Sequence, residues 1–199
     1  MQVARQLIGK YLMRRYKNHF LIGKIVEVEA YLGEKDPASH AYNGKTKRNE
    51  VMFWNGGHLY VYFTYGMHFC SNVVTEQEGI GHAVLLRAVE PIGGLEVMAR
   101  NRHITLKAER DKSQRDKPRG GKQNLCNGPA KLCEAFAIER EENGVDLCGD
   151  EIWIAEVKRR HTQQTVSRST RVGITRGKQH QWRFFLRNNP YVSTGKPVQ

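Results

Sequence analysis

Residues 25–32, IVEVEAYL, alternate with period two, the signature of an extended strand. Val26, Val28, Ala30 and Leu32 are predicted to face a core, and Ile25, Glu27, Glu29 and Tyr31 to share the other side. Any fold that carries this strand must accommodate two carboxylates and an aromatic ring on one face, the carboxylates roughly 6–7 Å apart at strand spacing. Such proximity modestly raises one of the two pKa values. Taken alone, the pair reads as two solvated glutamates, since most strand glutamates face water. The neighbourhood adds chemistry: Glu29 is followed by Tyr31 and then by His40 on the adjoining segment, which makes a water-activating group beside an aromatic pocket.

Before this strand, Val3, Leu7, Ile8, Tyr11 and Leu12 recur at helical spacing and predict a docking helix. After it, residues 33–50 have no sustained period and read as a long loop, of the kind that is usually functional or mobile. GGHLYVYFTYGMHFCSNVV, broken at Tyr65-Gly66, predicts a hairpin whose tip displays Tyr65. A ring beside glycine at a tight turn is poorly placed for burial. A third strand is expected from His82 to Val89 and a short helix near Leu95–Arg102. Asn127-Gly128-Pro129 is a helix entry ahead of the apolar stripe Leu132, Cys133, Phe136 and Ala137. Strands around Ile152–Val157, Arg171–Ile174 and Trp182–Leu186 complete the chain. The expected fold is α+β: a single domain over residues 1–199, with a largely antiparallel curved sheet flanked by a few helices and long loops.

Lys and Arg number 32 against 20 Asp and Glu, a formal net charge of +12, which favours a polyanionic partner over neutral ones. Charge alone leaves open a merely soluble basic protein. Residues 100–122 hold nine Lys/Arg against Glu109, Asp111 and Asp116 and predict a mobile basic loop over about 103–122, read first as a solvated charge run and second as a DNA contact. No apolar run approaches the roughly 20 residues of a membrane span, so no membrane partner is expected and an intracellular location is: cytoplasm or nucleoid in a bacterium, nucleus in a eukaryote. Cys70, Cys126, Cys133 and Cys148 have neither CxxC nor zinc spacing and read as reduced, partly buried thiols, with no metal site. Tyr60, Tyr62 and Tyr65 fall within six residues, and aromatic faces on a basic protein suit an unstacked base. For Tyr60 the core reading is preferred.

EVEAYLG at 27–33, Asp36-Pro37-Ala38-Ser39-His40, Arg48-Asn49, LYVYFTYGMHFCSNV at 59–73, VLLRAVEP at 84–91, LCNGPAKLCEAFAI at 125–138 and RVGI at 171–174 follow one another in order over nearly the whole chain. Together they resemble the alkyladenine (3-methyladenine) DNA glycosylase family of animals and many bacteria. The resemblance implies a monofunctional hydrolase, without cofactor and acting as a monomer, on double-stranded DNA containing damaged purines of the 3-methyladenine, 7-methylguanine, hypoxanthine and ethenoadenine type. It implies that the purine is flipped out and its N-glycosidic bond hydrolysed to leave an abasic site. Glu29 matches the group that activates the water, and Arg87 the arginine that positions it. Tyr31, Ala38, His40, Tyr62 and Asn72 match the base pocket: Tyr31 and Tyr62 sandwich the base, His40 hydrogen-bonds it and Asn72 rejects the guanine amino group. Tyr65 matches the wedge inserted into the duplex, and Arg48, Met67 and Arg171 match DNA-contact positions. His68 departs from the pattern, which has a further aromatic there. The start of the chain near the first family helix suggests a bacterial-type protein or a trimmed core.

The alternative from another class is a non-catalytic RNA- or single-strand-binding module using the same basic, aromatic surface. A carboxylate facing the pocket argues against it, because an anion there weakens phosphate binding. A zinc nucleobase deaminase needs H-x-E and P-C-x-x-C, and neither is present. No helix-hairpin-helix motif stands near a catalytic aspartate.

Overall fold

The glutamate-bearing segment forms the second half of the longest strand in the computed structural model, which describes residues 1–106, 121–156 and 164–195. In chain order the elements are α1 (Gln2–Leu7), β1 (Tyr11–Tyr16), β2 (His19–Leu32), β3 (Leu59–Thr64), β4 (His68–Val74), β5 (His82–Gly93), α2 (Leu95–Asn101), α3 (Pro129–Phe136), β6 (Ile152–Ala155), β7 (Val166–Ser169) and β8 (Arg183–Leu186). The strands pair antiparallel in one curled sheet of order β3-β4-β5-β2-β1-β6. β5 takes one edge of β2, while β1 takes the first half of the other edge and β8 its second half, at Glu27–Glu29; β7 extends the sheet from β8. The α+β expectation holds.

The strict alternation expected for 25–32 does not. The β2–β5 register is irregular on both sides of Glu27, where Val26 on β2 and Arg87 on β5 are the unpaired extra residues. Such a bulge reverses the phase of the pleat. Ile25 consequently joins the main core with Val28 and Ala30, whereas Val26 joins Ala88 and Leu186 in a separate cluster on the glutamate side. Both faces of the strand are covered, and Glu27 and Glu29 are 0% exposed, so the solvated-glutamate reading fails.

The helix expected to run through Leu12 ends at Leu7. Gly9 takes φ +88°, its N–H donates to Ile25 O, and Tyr11 onward pairs with β2, so sheet pairing overrides helical spacing. The third strand runs on to Gly93, and the short helix ends at Asn101. Residues 171–174 are not a strand; the strand of that region is β7, before them. The 33–50 segment is pinned rather than loose: Asn49 donates to His40 O (2.8 Å) and Gly44 O (3.1 Å) and accepts from Thr46 N–H (2.6 Å), while Asp36 accepts from the N–H groups of Leu32 and Ala38. Most of the basic loop, residues 107–120, and Val157 lie outside the described residues. No helix among the described residues is long and apolar enough to cross a membrane.

α3 buries Leu132, Cys133, Ala135 and Phe136 against β4 and β5; Ala137, expected in the same stripe, instead caps the helix at φ +53°. The carbonyls of Phe136 and Ala137 are collected by the buried Arg14 of β1, whose other Nη meets Glu142 (2.5 Å). Such caps satisfy carbonyls that the helix leaves unpaired. β2 also comes close to its neighbours at Gly23, where a Cβ would lie 2.5 Å from Val89 Cγ2 and 3.1 Å from Phe136 Cζ. Gly23→Ala should therefore overpack this contact and lower stability by about 1–3 kcal/mol, read from the urea midpoint. An unchanged midpoint would show that Val89 can move aside.

Candidate active site

Two residues from Leu85, which pairs with Glu29, Arg87 lies on the same side of the sheet as the two glutamates and lines a cleft of about 570 Å³. The cleft spans from the β3–β4 hairpin, across β5 and β2, to the loop that precedes β8. Tyr31, Ala38, His40, Tyr62, Tyr65, Asn72 and Arg87 all line it, so seven positions singled out in the sequence converge on one space.

Glu29 lies under this lining. Its Oε2 accepts from the Tyr31 hydroxyl (2.9 Å), and its Oε1 accepts from the Val172 N–H (2.7 Å) and faces Arg87 Nη1 at 3.4 Å. Burial raises its pKa above the ordinary glutamate value, against the lowering by Arg87, the Val172 N–H and the Tyr31 hydroxyl; Glu27 adds a smaller push upward. The chemical result is a carboxylate more basic than one in water.

Glu27 does different work. It accepts from Arg87 Nε (2.8 Å), Arg183 Nε (2.7 Å), the Ser193 N–H (2.6 Å) and the Ser193 hydroxyl (2.8 Å). Arg87 is thereby fixed by its Nε, with one Nη left for Glu29 and the other donating to Ser193 Oγ (3.3 Å).

The aromatic walls are neutral phenols, since burial pushes Tyr31 and Tyr62 well up and Tyr60 up to about 12. Tyr60 is 1% exposed, in agreement with its core reading, and its hydroxyl meets His40 Nδ1 at 3.0 Å. The His40 ring is open to the cleft on one side and packs edge-on against Tyr62 on the other, 4.4 Å between centroids. Packing of that ring, with Arg48 nearby, lowers its pKa and favours neutral imidazole. Asn72 is anchored by donation to Tyr60 O (3.1 Å).

At the rim, Tyr65 is 84% exposed, at φ +52° beside Gly66 at φ +67°, and the Met67 N–H closes the turn on Thr64 O. A bulky residue held in the left-handed region is strained, and such strain clusters at functional sites. Met67 is 68% exposed, and the exposed Arg48 donates to Phe63 O (3.0 Å) on the same hairpin. Arg171 departs from expectation. It is 0% exposed, bidentate on Asp36 and bonded to Ala30 O (3.0 Å), with its guanidinium 4.6 Å from the Tyr31 ring centroid and 5.0 Å from that of Trp182. Instead of reaching a phosphate, it backs one face of Tyr31 and leaves the other to the cleft. Sequence reasoning missed this pair, the Glu27 clamp with Arg183 and Ser193, and the Val172 N–H; each joins residues more than 130 positions apart, and none falls in a local pattern.

Among the described residues no group of three or more His, Cys, Asp or Glu is arranged to hold a metal ion, and all four cysteines are free.

The sequence pattern of methylpurine-DNA glycosylases matches residues 1–190. A protein of Carboxydothermus hydrogenoformans is 48% identical over 193 residues, 96% of this chain and 92% of its own length. Relatives from Clostridium acetobutylicum and Alkaliphilus oremlandii are 44% and 42% identical over 198 and 197 residues, 98% and 97% of this chain and 92% and 93% of theirs. All three carry 3-methyladenine DNA glycosylase as a provisional name. These matches define a glycosylase of DNA repair. Within that class the chain belongs to the methylpurine-DNA glycosylase family.

The two glutamates should respond oppositely to neutralisation. Glu27→Gln strips the anion shared by Arg87 and Arg183 and is expected to cost about 3–5 kcal/mol, as breaking buried pairs does. Glu29, with its folded pKa raised, contributes stability that is full below its unfolded pKa and lost as pH rises through the folded value. Glu29→Gln removes that loss, so at neutral pH it should melt at or above the wild-type temperature. Equal destabilisation by both substitutions in thermal melts would overturn this division.

Proposed function

We propose that the cleft receives a damaged purine turned out of duplex DNA and that Glu29 takes a proton from the water that attacks its anomeric carbon. The C–N bond to the purine breaks, the free base leaves, and an abasic site remains in the strand. The single observation that carries this reading is the placing of Glu29: fully buried, raised in basicity, and held by Tyr31, Val172 and Arg87 against an aromatic cleft. A general base gains efficiency as its pKa approaches the working pH. Arg87, immobilised by Glu27, orients the carboxylate and the water. No lysine lines the cleft among the described residues, which supports water rather than an amine as nucleophile.

Tyr31, Tyr62 and His40 supply π-faces and a hydrogen-bonding edge for the base, and Asn72, fixed by Tyr60 O, supplies the bulk that excludes the guanine amino group. An alkylated purine is a cation, which attracts it to these faces and weakens its own glycosidic bond. Hypoxanthine and ethenoadenine are neutral, so water placement and protonation of the leaving base carry more of the barrier for them. Tyr65 fills the gap left by the extruded nucleotide, offsetting part of a flipping cost of a few kcal/mol.

Glu29→Gln should abolish release of base from a hypoxanthine or 3-methyladenine duplex, seen as loss of alkali-labile strand cleavage, while damaged-duplex affinity stays within a few-fold. Excision retained by this variant in single turnover sinks the assignment; binding by wild type without any release returns the protein to the non-catalytic class. With a cationic lesion, which needs no protonation, the wild-type rate should fall as pH drops through the Glu29 pKa, beginning at higher pH than an exposed glutamate would give.

Tyr65→Ala should leave the melt nearly unchanged, because the ring is exposed, and should lower the flipped fraction read from ethenoadenine fluorescence. A core aromatic would instead cost about 3–5 kcal/mol. A much earlier melt with normal flipping would refute the wedge.

A further inference from the structure

We propose that Arg176 is a phosphate contact on the wall of the cleft opposite the Tyr65 hairpin, its ligand a backbone phosphate beside the turned-out nucleotide. The inference rests on the glycosylase reading and assigns that function a residue outside the positions singled out in the sequence.

The starting point is the burial of Arg171, which removes the cation expected to serve this segment. Five residues on, Arg176 is exposed, lines the cleft, and makes no hydrogen bond or ion pair with any described residue. Its neighbour fixes where it stands. Gly177 takes φ +63°, and a Cβ there would lie 3.1 Å from Arg171 Nη2, 3.3 Å from Asp36 Oδ1 and 3.6 Å from Pro37 Cγ. The loop backbone therefore rests directly on the buried ion pair, which fixes where the Arg176 side chain leaves the wall of the cleft.

The surrounding charge has one sign. No Asp or Glu occurs from residue 171 to 182, which include Arg176 and Lys178. Across the cleft, residues 41–48 carry Lys45, Lys47 and Arg48 and again no acid, with Arg48 fixed to the hairpin through Phe63 O. Turning a nucleotide out of the stack by rotation about its backbone brings its flanking phosphates to the mouth of the cleft. Two acid-free basic loops on either side of that mouth match a strand lying across it, and a guanidinium fork suits a phosphate. A cationic alkylated purine would repel Arg176, so for those lesions the phosphate and not the base is its ligand.

The test is equilibrium binding to a duplex containing a stable abasic-site analogue, measured against salt concentration. Losing one phosphate contact lowers the slope of log K against log salt by about 0.9. Arg176→Ala should show that loss with about ten-fold weaker binding at low salt, and Arg176→Lys should keep the wild-type slope. The melting temperature of Arg176→Ala should match wild type, which separates contact from folding. A wild-type slope in Arg176→Ala, or a weakening equal at all salt concentrations, overturns the inference. Base release by wild type on a hypoxanthine duplex is run alongside: its absence would fail the glycosylase reading itself, whereas release together with an unaltered Arg176→Ala slope fails only the phosphate contact.

Discussion

A carboxylate with no exposed surface, Glu27, accepts four hydrogen bonds, two of them from arginines and two from Ser193. Isolating such a charge from water costs about several kcal/mol even after relaxation, and only close, well-aligned cations and donors compensate it. Those partners come from β5, β8 and the segment after β8, so one side chain ties three separate parts of the chain to the middle of the sheet. Arg87 reaches Glu27 through ordinary alternation along β5: Leu85 pairs with Glu29, and Arg87, two residues on, faces the same side. The irregular register around Glu27 instead brings Val26 and Ala88 to that side, where they pack with Leu186.

Glu29 stands two residues along the same strand in a less complete environment. It has one shared arginine at 3.4 Å, a phenol and a backbone N–H, and its burial outweighs them. The contrast between neighbours assigns them different duties. One carboxylate is fully satisfied and holds the structure together; the other is left under-satisfied and more basic, which suits the proton abstraction proposed for it. Tyr65 repeats the principle in the backbone, where a side chain is kept exposed and at positive φ by the hairpin that carries it.

Part of the cleft could be read from local patterns, with Glu29 and Tyr31 on one strand, Tyr62 on a hairpin and Tyr65 beside a glycine, whereas Ala38, Asn72 and Arg87 came only with the family resemblance. The strands of that hairpin and the entry to α3 were likewise marked by β-branched and aromatic runs and by Gly128-Pro129. What escaped was long-range. The spacing of Tyr11 and Leu12 suits a helix until β2 claims them, and nothing local shows that Val26 will be a bulge. Arg171 illustrates the difficulty best: an arginine in a basic chain reads as a surface cation, and only the folded structure reveals Asp36, 135 residues away, as its partner.

The separation of Glu27 from Ser193 also governs the order of events as the chain is made. β2 emerges early; of the partners of its carboxylate, Arg87 follows 60 positions later, but Arg183 and Ser193 emerge only 156 and 166 positions later. Until then Glu27 has Arg87 alone among the donors of its four bonds, so its burial is only partly compensated by the first partners of the central strand. Contacts of such sequence separation must close a long loop before they contribute any stabilisation. A nascent fragment ending before β8 would expose a strand with its acids still in water, and the same carboxylate that later locks the sheet would act as a gate against premature closure.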